Sequence, residues 1–375
     1  MNIHDPVVRP AHNPVELRIG ALDGLRGIAI GLVLLVHFGF ISIDFTSRSW
    51  WLPYAHQFEA GWCGVDLFFV LSGFLIGGIL LDKRNSPRLA RVFYARRALR
   101  IMPLYYLLLA VIFLRLAHVS QTFSFSVYPL FLSNLAYAMT NQWNWPPLNV
   151  TWSLAVEEQF YLFAPWFVRA ISPRKLPWIL LSLWLGSLVL RFAMSLTTRE
   201  PGLIFYTCTP FRLDGLALGW LAAWLVRTPE GHPIRAWFCR WWHWLLGLSF
   251  IFALGFLAQD SRQVSFAAIR YGYALLAVFF ATLTLTVVLV HPPWLAGPLN
   301  NRWLCHLGRH SYFIYLWHEL VAYVAHRYIL PDFPASTWQE WAAMCGLVGI
   351  VWIMAIISRH IFEGPLIRLG HRLAY

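Results

Sequence analysis

Two ionisable residues, Arg26 and His37, stand inside the first apolar stretch of the chain, residues 21–40. At about 100° per residue, a separation of eleven places both side chains within roughly 20° on one helical face, ~16 Å apart along the axis. A cation and an imidazole on one stripe of an apolar helix are costly to bury in a bilayer, so they point to function. The chemistry on offer is proton transfer by the imidazole, with a fixed positive charge at greater depth. The competing reading is that each side chain reaches an opposite interface. Glu157 stands one turn into another apolar stretch, where a carboxylate could orient an imidazole. Capping of the helix start behind Thr151 or Ser153 accounts for it equally well. Arg97 and Arg100 are spaced i, i+3, on one face, as bidentate phosphate contacts require. They could equally be anchors at a membrane edge. Asp66 is open to the same cavity-or-cap alternative. Arg212 and Asp214 either pair or contact substrate. Tyr315 and His318, also i, i+3, either line a cavity or pack with satisfied hydrogen bonds.

The elements that must position these residues follow from composition. Of the 375 residues, 59% are hydrophobic and 12% charged, which excludes a soluble globular domain and implies a polytopic membrane protein. The 21 Trp and 15 Tyr suit many membrane–water boundaries. The net charge of +12 would suit nucleic acid, but the basic residues lie between apolar runs, so no nucleic-acid partner is expected. The five cysteines form no CxxC pair and no His/Cys metal spacing, so neither a disulfide framework nor a metal site is expected. The first apolar run has no small-residue cleavage site after it and reads as an uncleaved span.

Ten spans are expected, near 21–41, 64–81, 100–117, 152–169, 177–196, 211–226, 243–258, 268–290, 310–330 and 338–358. Residues 126–140 are too short and polar to cross and read as a re-entrant or interfacial helix. With a cytoplasmic N-terminus, 20 of the 29 Lys and Arg face the cytoplasm and three (Arg48, Arg199, Arg262) face outward. A crossing at 126–140 would invert every later segment against the positive-inside rule. The expected organisation is a cytoplasmic tail (1–20), a transmembrane domain (21–361) and a second cytoplasmic tail (362–375). No soluble segment is large enough to be a catalytic domain, so any chemistry belongs to the bundle and its short loops.

The motifs occur in a fixed order. They are Asp23-Gly24-Leu25-Arg26-Gly27 followed by His37, then GVDLFFVLSGFL from Gly64. FxxRRxxRIxPxY follows, ending at Tyr105, and then WSLxVEEQFY from Trp152 through Tyr161. Arg212-Leu213-Asp214-Gly215 and the Ser311–His318 segment SYFIYLWH complete the set. Together they resemble the acyltransferase 3 family of bacterial integral-membrane acyltransferases, from about residue 18 to 366. The resemblance implies transfer of an acyl group, often acetyl, from cytoplasmic acyl-CoA to a hydroxyl of a cell-envelope glycan or lipid-linked sugar, at the bacterial inner membrane. It implies His37 as general base, with Glu157 and Arg26 beside it, by direct transfer. Arg97, Arg100 and Tyr105 would hold acyl-CoA, the co-substrate; no permanently bound cofactor is implied. Asp66, Tyr161, Arg212, Asp214, Tyr315 and His318 are the candidate substrate contacts. Many relatives carry an additional SGNH hydrolase-like domain. This chain ends at Tyr375, so the expectation is the stand-alone transmembrane form. A polar-lipid or glycan transporter is the rival from another class, and a non-catalytic scaffold or sensor is the next. Ser72 is not expected to be a nucleophile, because no GxSxG elbow surrounds it.

Overall fold

A computed structural model describes residues 20–40, 59–116, 125–143, 145–328 and 338–375. Those residues are helical nearly throughout, and among them there is no strand. The reason is local. Long apolar runs in a bilayer must satisfy their own backbone donors and acceptors, and a helix does so within one segment. The main helices are α1 (Gly20–Leu34), α2 (Gly64–Asp82), α3 (Leu89–Leu116), α4 (Ser133–Thr140), α5 (Thr151–Ala170), α6 (Leu176–Thr197) and α7 (Leu213–Arg227). They continue with α8 (His232–Gln259), α9 (Tyr273–Leu285), α10 (Arg302–Arg309), α11 (Ser311–Tyr328), α12 (Trp338–Ser358) and α13 (Gly364–His371).

Within the described residues, the ten expected ranges lie almost wholly on helix. Among the described residues, seven helical stretches are long and apolar enough to cross a bilayer, from Gly20–Phe38 to Trp341–His371. The expected spans outside those seven lie on α5, α7 and α11. Their ionisable residues lower the apolarity of each, and α7 has only 15 residues. The protein is a multi-pass membrane protein. Its outer surface fits that solvent: Leu185, Val189, Phe192 and Leu196 of α6 are exposed, as are Phe250, Ile251 and Leu254 of α8. An apolar belt of this size would be a liability in water and is ordinary against lipid. Residues 126–140 form a short turn at Phe125–Val127 and the eight-residue α4, too short to cross.

Two close helix contacts set the centre of the bundle. A Cβ placed on Gly73 of α2 would overlap the Leu216 carbonyl of α7, and one on Gly219 of α7 would overlap the Val70 carbonyl of α2. The absence of side chains there lets the two backbones touch, as small residues do in membranes. The second contact joins α1 to α10. Gly24 and Gly27 abut the carbonyls of Leu299 and Leu304, and Gly308 abuts that of Asp23. Gly27, next to Arg26, therefore docks α10 against the helix that carries both, and Gly24 admits the Leu299 backbone just before α10. Asn301 starts α10 by accepting hydrogen bonds from the Trp303 and Leu304 backbone NH groups at 2.9 and 3.4 Å.

The regular helices are interrupted by π-helical turns at Leu35–Phe40, Ala268–Gly272, Thr286–Val290 and Arg359–Glu363. Such turns are costly and concentrate at functional sites. Two of these four hold residues that line the cavities below. The expected C-terminal tail includes α13, which packs on α3. The Arg96 guanidinium donates to the Leu373 carbonyl at 2.6 Å and lies 4.7 Å from the Tyr375 ring centroid. The expected N-terminal tail lies outside the described residues, apart from Gly20.

Candidate active site

Two cavities open inside the bundle. The first, about 320 Å³, is lined by α1, α2, α3, α5, α11 and the C-terminal segment. Five arginines converge on it: Arg26, Arg97, Arg100, Arg309 and Arg359, with His371 beside them. Only two carboxylates, Asp23 and Glu157, share the lining. Among the described residues none of the five arginines is in an ion pair. Much of the remaining wall is apolar, with Phe68, Leu71, Leu75, Ile76 and Ile101 among serine and tyrosine hydroxyls. Positive charge of this density, unmatched by protein carboxylates, suits an anionic ligand carrying several phosphates.

Glu157 faces this cavity. The Ser72 hydroxyl donates to its Oε1 at 2.6 Å, and the Tyr161 hydroxyl lies 3.1 Å from both its Oε2 and Ser72 Oγ. Arg97 stacks over the Tyr161 ring, 4.8 Å from the centroid. Carboxylate, serine, tyrosine and arginine thus form one connected cluster. Ser72 is engaged with that carboxylate, in addition to standing beside the close-packing Gly73.

The second cavity, about 190 Å³, contains His37. Its wall is aromatic and polar, with Trp62, Trp143, Trp152 and Tyr206 beside Glu59, Asn149 and Gln263. His37 sits in the π-helical turn that ends α1. Its Nδ1 lies 2.8 Å from the Val33 carbonyl and its Nε2 lies 3.1 Å from Glu319 Oε1. Both neighbours are acceptors. The Nδ1 therefore carries a hydrogen, and Nε2, beside the carboxylate, is the nitrogen that can take up and release a proton.

His318 completes the group. Its ring meets that of His37 edge to face, with centroids 4.7 Å apart. Its Nδ1 lies 2.8 Å from the Tyr315 carbonyl, which assigns the hydrogen to Nδ1 and leaves a lone pair on Nε2. That Nε2 is fully buried and has no hydrogen-bond partner among the described residues. Ligand atoms of His37, His318 and Glu319 lie within 4.8 Å of one another, so the three could also hold a metal ion.

The carboxylate beside His37 is Glu319, where the sequence suggested Glu157. The cause is the packing order. Helix α11 brings its Tyr315–Glu319 turn to the end of α1, whereas α5 turns Glu157 toward Ser72 of α2. Glu319 was legible in principle, since an acid in the middle of an apolar span is itself a functional signal. Arg309 and Arg359 were read only as topology charges, although the structure places both on the first cavity.

The candidate substrate and donor contacts divide sharply. Arg26, Arg97, Arg100, Glu157, Tyr161 and Tyr315 reach the first cavity, and His37 and Tyr315 reach the second. Asp66, Arg212, Asp214 and Tyr105 line neither. Arg212 pairs with Asp66 at 2.7 Å and Asp214 with Arg191 at 2.8 Å, all four fully buried. Arg212 also lies 4.2 Å from the Tyr273 ring centroid. Tyr105 uses its hydroxyl on the Tyr128 carbonyl at 2.8 Å and stacks on Phe131, so it supports α3 from behind.

The sequence profile described as "Acyltransferase domain" matches residues 19–359, which takes in the whole second cavity and all of the first but Ile367 and His371. The chain belongs to the acyltransferase 3 family. It is 29% identical to "Putative O-acetyltransferase SACOL0978" of Staphylococcus aureus (strain COL) over 337 residues, 83% of this chain and 52% of that protein. It is 26% identical to "O-acetyltransferase OatA" of Staphylococcus aureus (strain NCTC 8325 / PS 47) over 375 residues, 94% of this chain and 57% of the relative. The chain thus spans about half the length of the curated relatives it matches. No solved structure matches it. In this acyltransferase 3 chain the family-like motifs do three jobs. The DGLRG and RRxxR segments supply charge to the first cavity, and VEEQFY adds the Glu157 cluster. GVDLFF and RLDG supply the buried ion pairs and the α2–α7 contact. The SYFIYLWH segment, with the Glu319 that follows it, closes the second cavity.

Proposed function

We propose that this protein is a membrane O-acyltransferase that takes an acyl group, chiefly acetyl, from cytoplasmic acyl-CoA and places it on a hydroxyl of a cell-envelope glycan or lipid-linked sugar. The observation that carries this reading is the meeting of two unlike cavities within one bundle. One offers unmatched arginines and a largely apolar wall, the chemistry of a phosphorylated carrier with a long flexible arm. The other offers an imidazole–carboxylate pair inside an aromatic, amide-bearing wall. Flat apolar rings edged by polar groups suit the faces and hydroxyls of a sugar. The O-acetyltransferase names of the relatives agree in reaction class.

The arginine cavity is the donor side. Arg97 and Arg100 hold phosphates from the first half of α3, with Arg309 and Arg359 opposite. The ten-span arrangement with both ends inside puts this side at the cytoplasm of a bacterial inner membrane. His37 then lies toward the outer face. In the transfer step, the acceptor hydroxyl gives its proton to His37 Nε2 while its oxygen attacks the thioester carbonyl carbon. Glu319 stabilises the imidazolium that results, as a neighbouring carboxylate does. Arg26, in the donor cavity, lends positive charge to the bound donor. Collapse forms the ester, breaks the C–S bond and releases the thiolate, which is protonated from His37. The reaction is an exchange of one acyl link for another and needs no redox partner.

The test is direct. Purified protein in lipid nanodiscs is mixed with acetyl-CoA and a panel of glycan and glycolipid acceptors, and thiol release and ester formation are followed together. The expected result is acceptor-dependent thiol release matched by an ester on one acceptor, both lost in His37→Ala. Acceptor movement across a vesicle membrane without acyl-CoA consumption would replace this reading with transport.

A further inference from the structure

The two cavities share only two lining residues, Val65 and Tyr315. Tyr315 is therefore a wall of both. Its phenol points from α11 to α5, where the hydroxyl meets Ser153 Oγ at 2.6 Å and lies 3.3 Å from the Val150 carbonyl. Ser153 lines the donor cavity, and its own hydroxyl lies 3.2 Å from that same carbonyl. On the donor side the ring meets Phe68 edge to face at 5.9 Å. On the other side the His318 ring lies 6.0 Å away, itself in contact with His37. The phenol thus stands between the arginine cavity and the His37–Glu319 pair.

We propose that Tyr315, latched to Ser153, is the partition that separates the acyl donor from the acceptor, and that it sets which acyl groups can reach His37. The proposal rests on the acyltransferase reading above. Direct transfer demands contact between a thioester in one cavity and a hydroxyl in the other. The closed partition forbids that contact, so the phenol must swing for each turnover. The latch suits such a movement. It joins two neutral hydroxyls over one backbone carbonyl, and neutral hydrogen bonds contribute little net free energy. An ion pair at this position would hold far more firmly. The pairs that do not need to move, Arg212–Asp66 and Arg191–Asp214, are charged.

Two consequences follow from the partition. The first is water exclusion. With the wall shut, a thioester loaded on the donor side is screened from the His37 base until an acceptor arrives. With the wall absent, water in the second cavity can take the place of the acceptor. His37 then accepts a proton from water, the hydroxide oxygen bonds to the acyl carbon, and the C–S bond breaks to give free acid and thiol. The second is acyl selection. An acetyl group needs little room beside the phenol, whereas a longer chain needs the space that the ring fills.

The experiment measures acyl-CoA binding by titration and thiol release without acceptor, in nanodiscs, for acetyl-CoA and hexanoyl-CoA. The proteins are the wild type, Tyr315→Ala, Tyr315→Phe, Ser153→Ala and the double variant Tyr315→Ala with His37→Ala. Tyr315→Ala is expected to retain acetyl-CoA binding, to release thiol severalfold faster than wild type, and to raise hexanoyl over acetyl use by about tenfold or more, the low end of the discrimination that a single methylene gives. The double variant returns thiol release to background. Tyr315→Phe and Ser153→Ala, which keep the packing and lose the latch, give a smaller rise in thiol release with acetyl preference retained. These last two decide the matter if Tyr315→Ala does not fold. Normal binding with unchanged thiol release in every foldable variant overturns the partition and leaves the acyltransferase reading intact. A wild type that neither binds nor cleaves acetyl-CoA removes that reading, and the partition with it.

Discussion

The bundle holds arginine in two regions and treats it in opposite ways. Around α2, α6 and α7, Arg212 and Arg191 are fully buried and each meets one carboxylate, at 2.7 and 2.8 Å. Around the donor cavity, Arg26, Arg97, Arg100 and Arg359 are only partly buried, Arg309 is exposed, and none of them is ion-paired among the described residues. The first region is matched in charge. The second is not, and its clustered like charges repel until an anion joins them. The difference separates structural from functional charge more surely than burial alone. The His37–Glu319 pair lies between these extremes: it is paired, yet it borders a cavity, and the adjoining His318 has a buried Nε2 without a hydrogen-bond partner among the described residues.

That intermediate position gives the largest expected effect. His37→Ala should lower acyl transfer by about 10²–10⁴-fold, the usual contribution of a positioned general base. The folded yield in detergent should not change, because the lost side chain borders a cavity. Glu319→Gln, which keeps the shape and removes the charge, should cost less than His37→Ala. If Glu319→Gln leaves the rate at the wild-type value while Glu157→Gln abolishes it, the carboxylate of the proton-transfer step is Glu157 after all.

The structural region should respond in stability. Arg212→Ala leaves Asp66 buried without its partner and should cost about 3–5 kcal/mol, read as loss of folded protein or a lower melting temperature. Replacing both, as Arg212→Met with Asp66→Leu, should recover much of that loss, because an apolar pair leaves no charge uncompensated. A double variant as unstable as the single one would mean that these residues act through something other than their mutual pairing.

The donor region should respond the other way. Arg359→Gln should weaken acyl-CoA binding by about 10–100-fold, as removal of a charge-assisted contact does. In the ligand-free protein it should not lower the melting temperature, because one repulsive charge has gone. An equal fall in stability and no change in binding would place Arg359 with the structural set and remove the contrast between the two regions.

The sequence made much of this arrangement legible, for physical reasons. Apolar runs of bilayer length force helices, so the helical ranges could be read directly. Arg97 and Arg100 share a face through i, i+3 spacing alone, and both line the donor cavity. What lay hidden is pairing across the fold. His37 and Glu319 are 282 positions apart, and nothing local states their relative depth. The π-helical turn at Leu35–Phe40 also re-aims His37 away from the straight helix assumed for the Arg26–His37 stripe. Asp214 illustrates the same limit: its near neighbour Arg212 was the obvious partner, yet Arg191 holds it. Gly24, Gly27 and Gly73 were visible as small residues, but which backbones they admit is a property of the assembled bundle.

The smallest expected effect concerns metal. His37, His318 and Glu319 are close enough to ligate a divalent ion, and His318 Nε2 has the free lone pair that a ligand needs. Three protein ligands with one open position is the pattern of a catalytic zinc site. Yet His37 Nε2 is in direct contact with Glu319, which gives the imidazole a partner without any ion. A base that works through that contact needs no metal. Dialysis against a strong chelator should therefore leave the transfer rate unchanged, and elemental analysis of the active protein should find no stoichiometric zinc. Activity lost to the chelator and restored by zinc would make His37 a ligand in place of a base. His318→Ala would then be as damaging as His37→Ala, because both would remove a ligand of one centre. Under the base reading His318 touches the proton-transfer pair only through its ring edge, and its removal should cost far less.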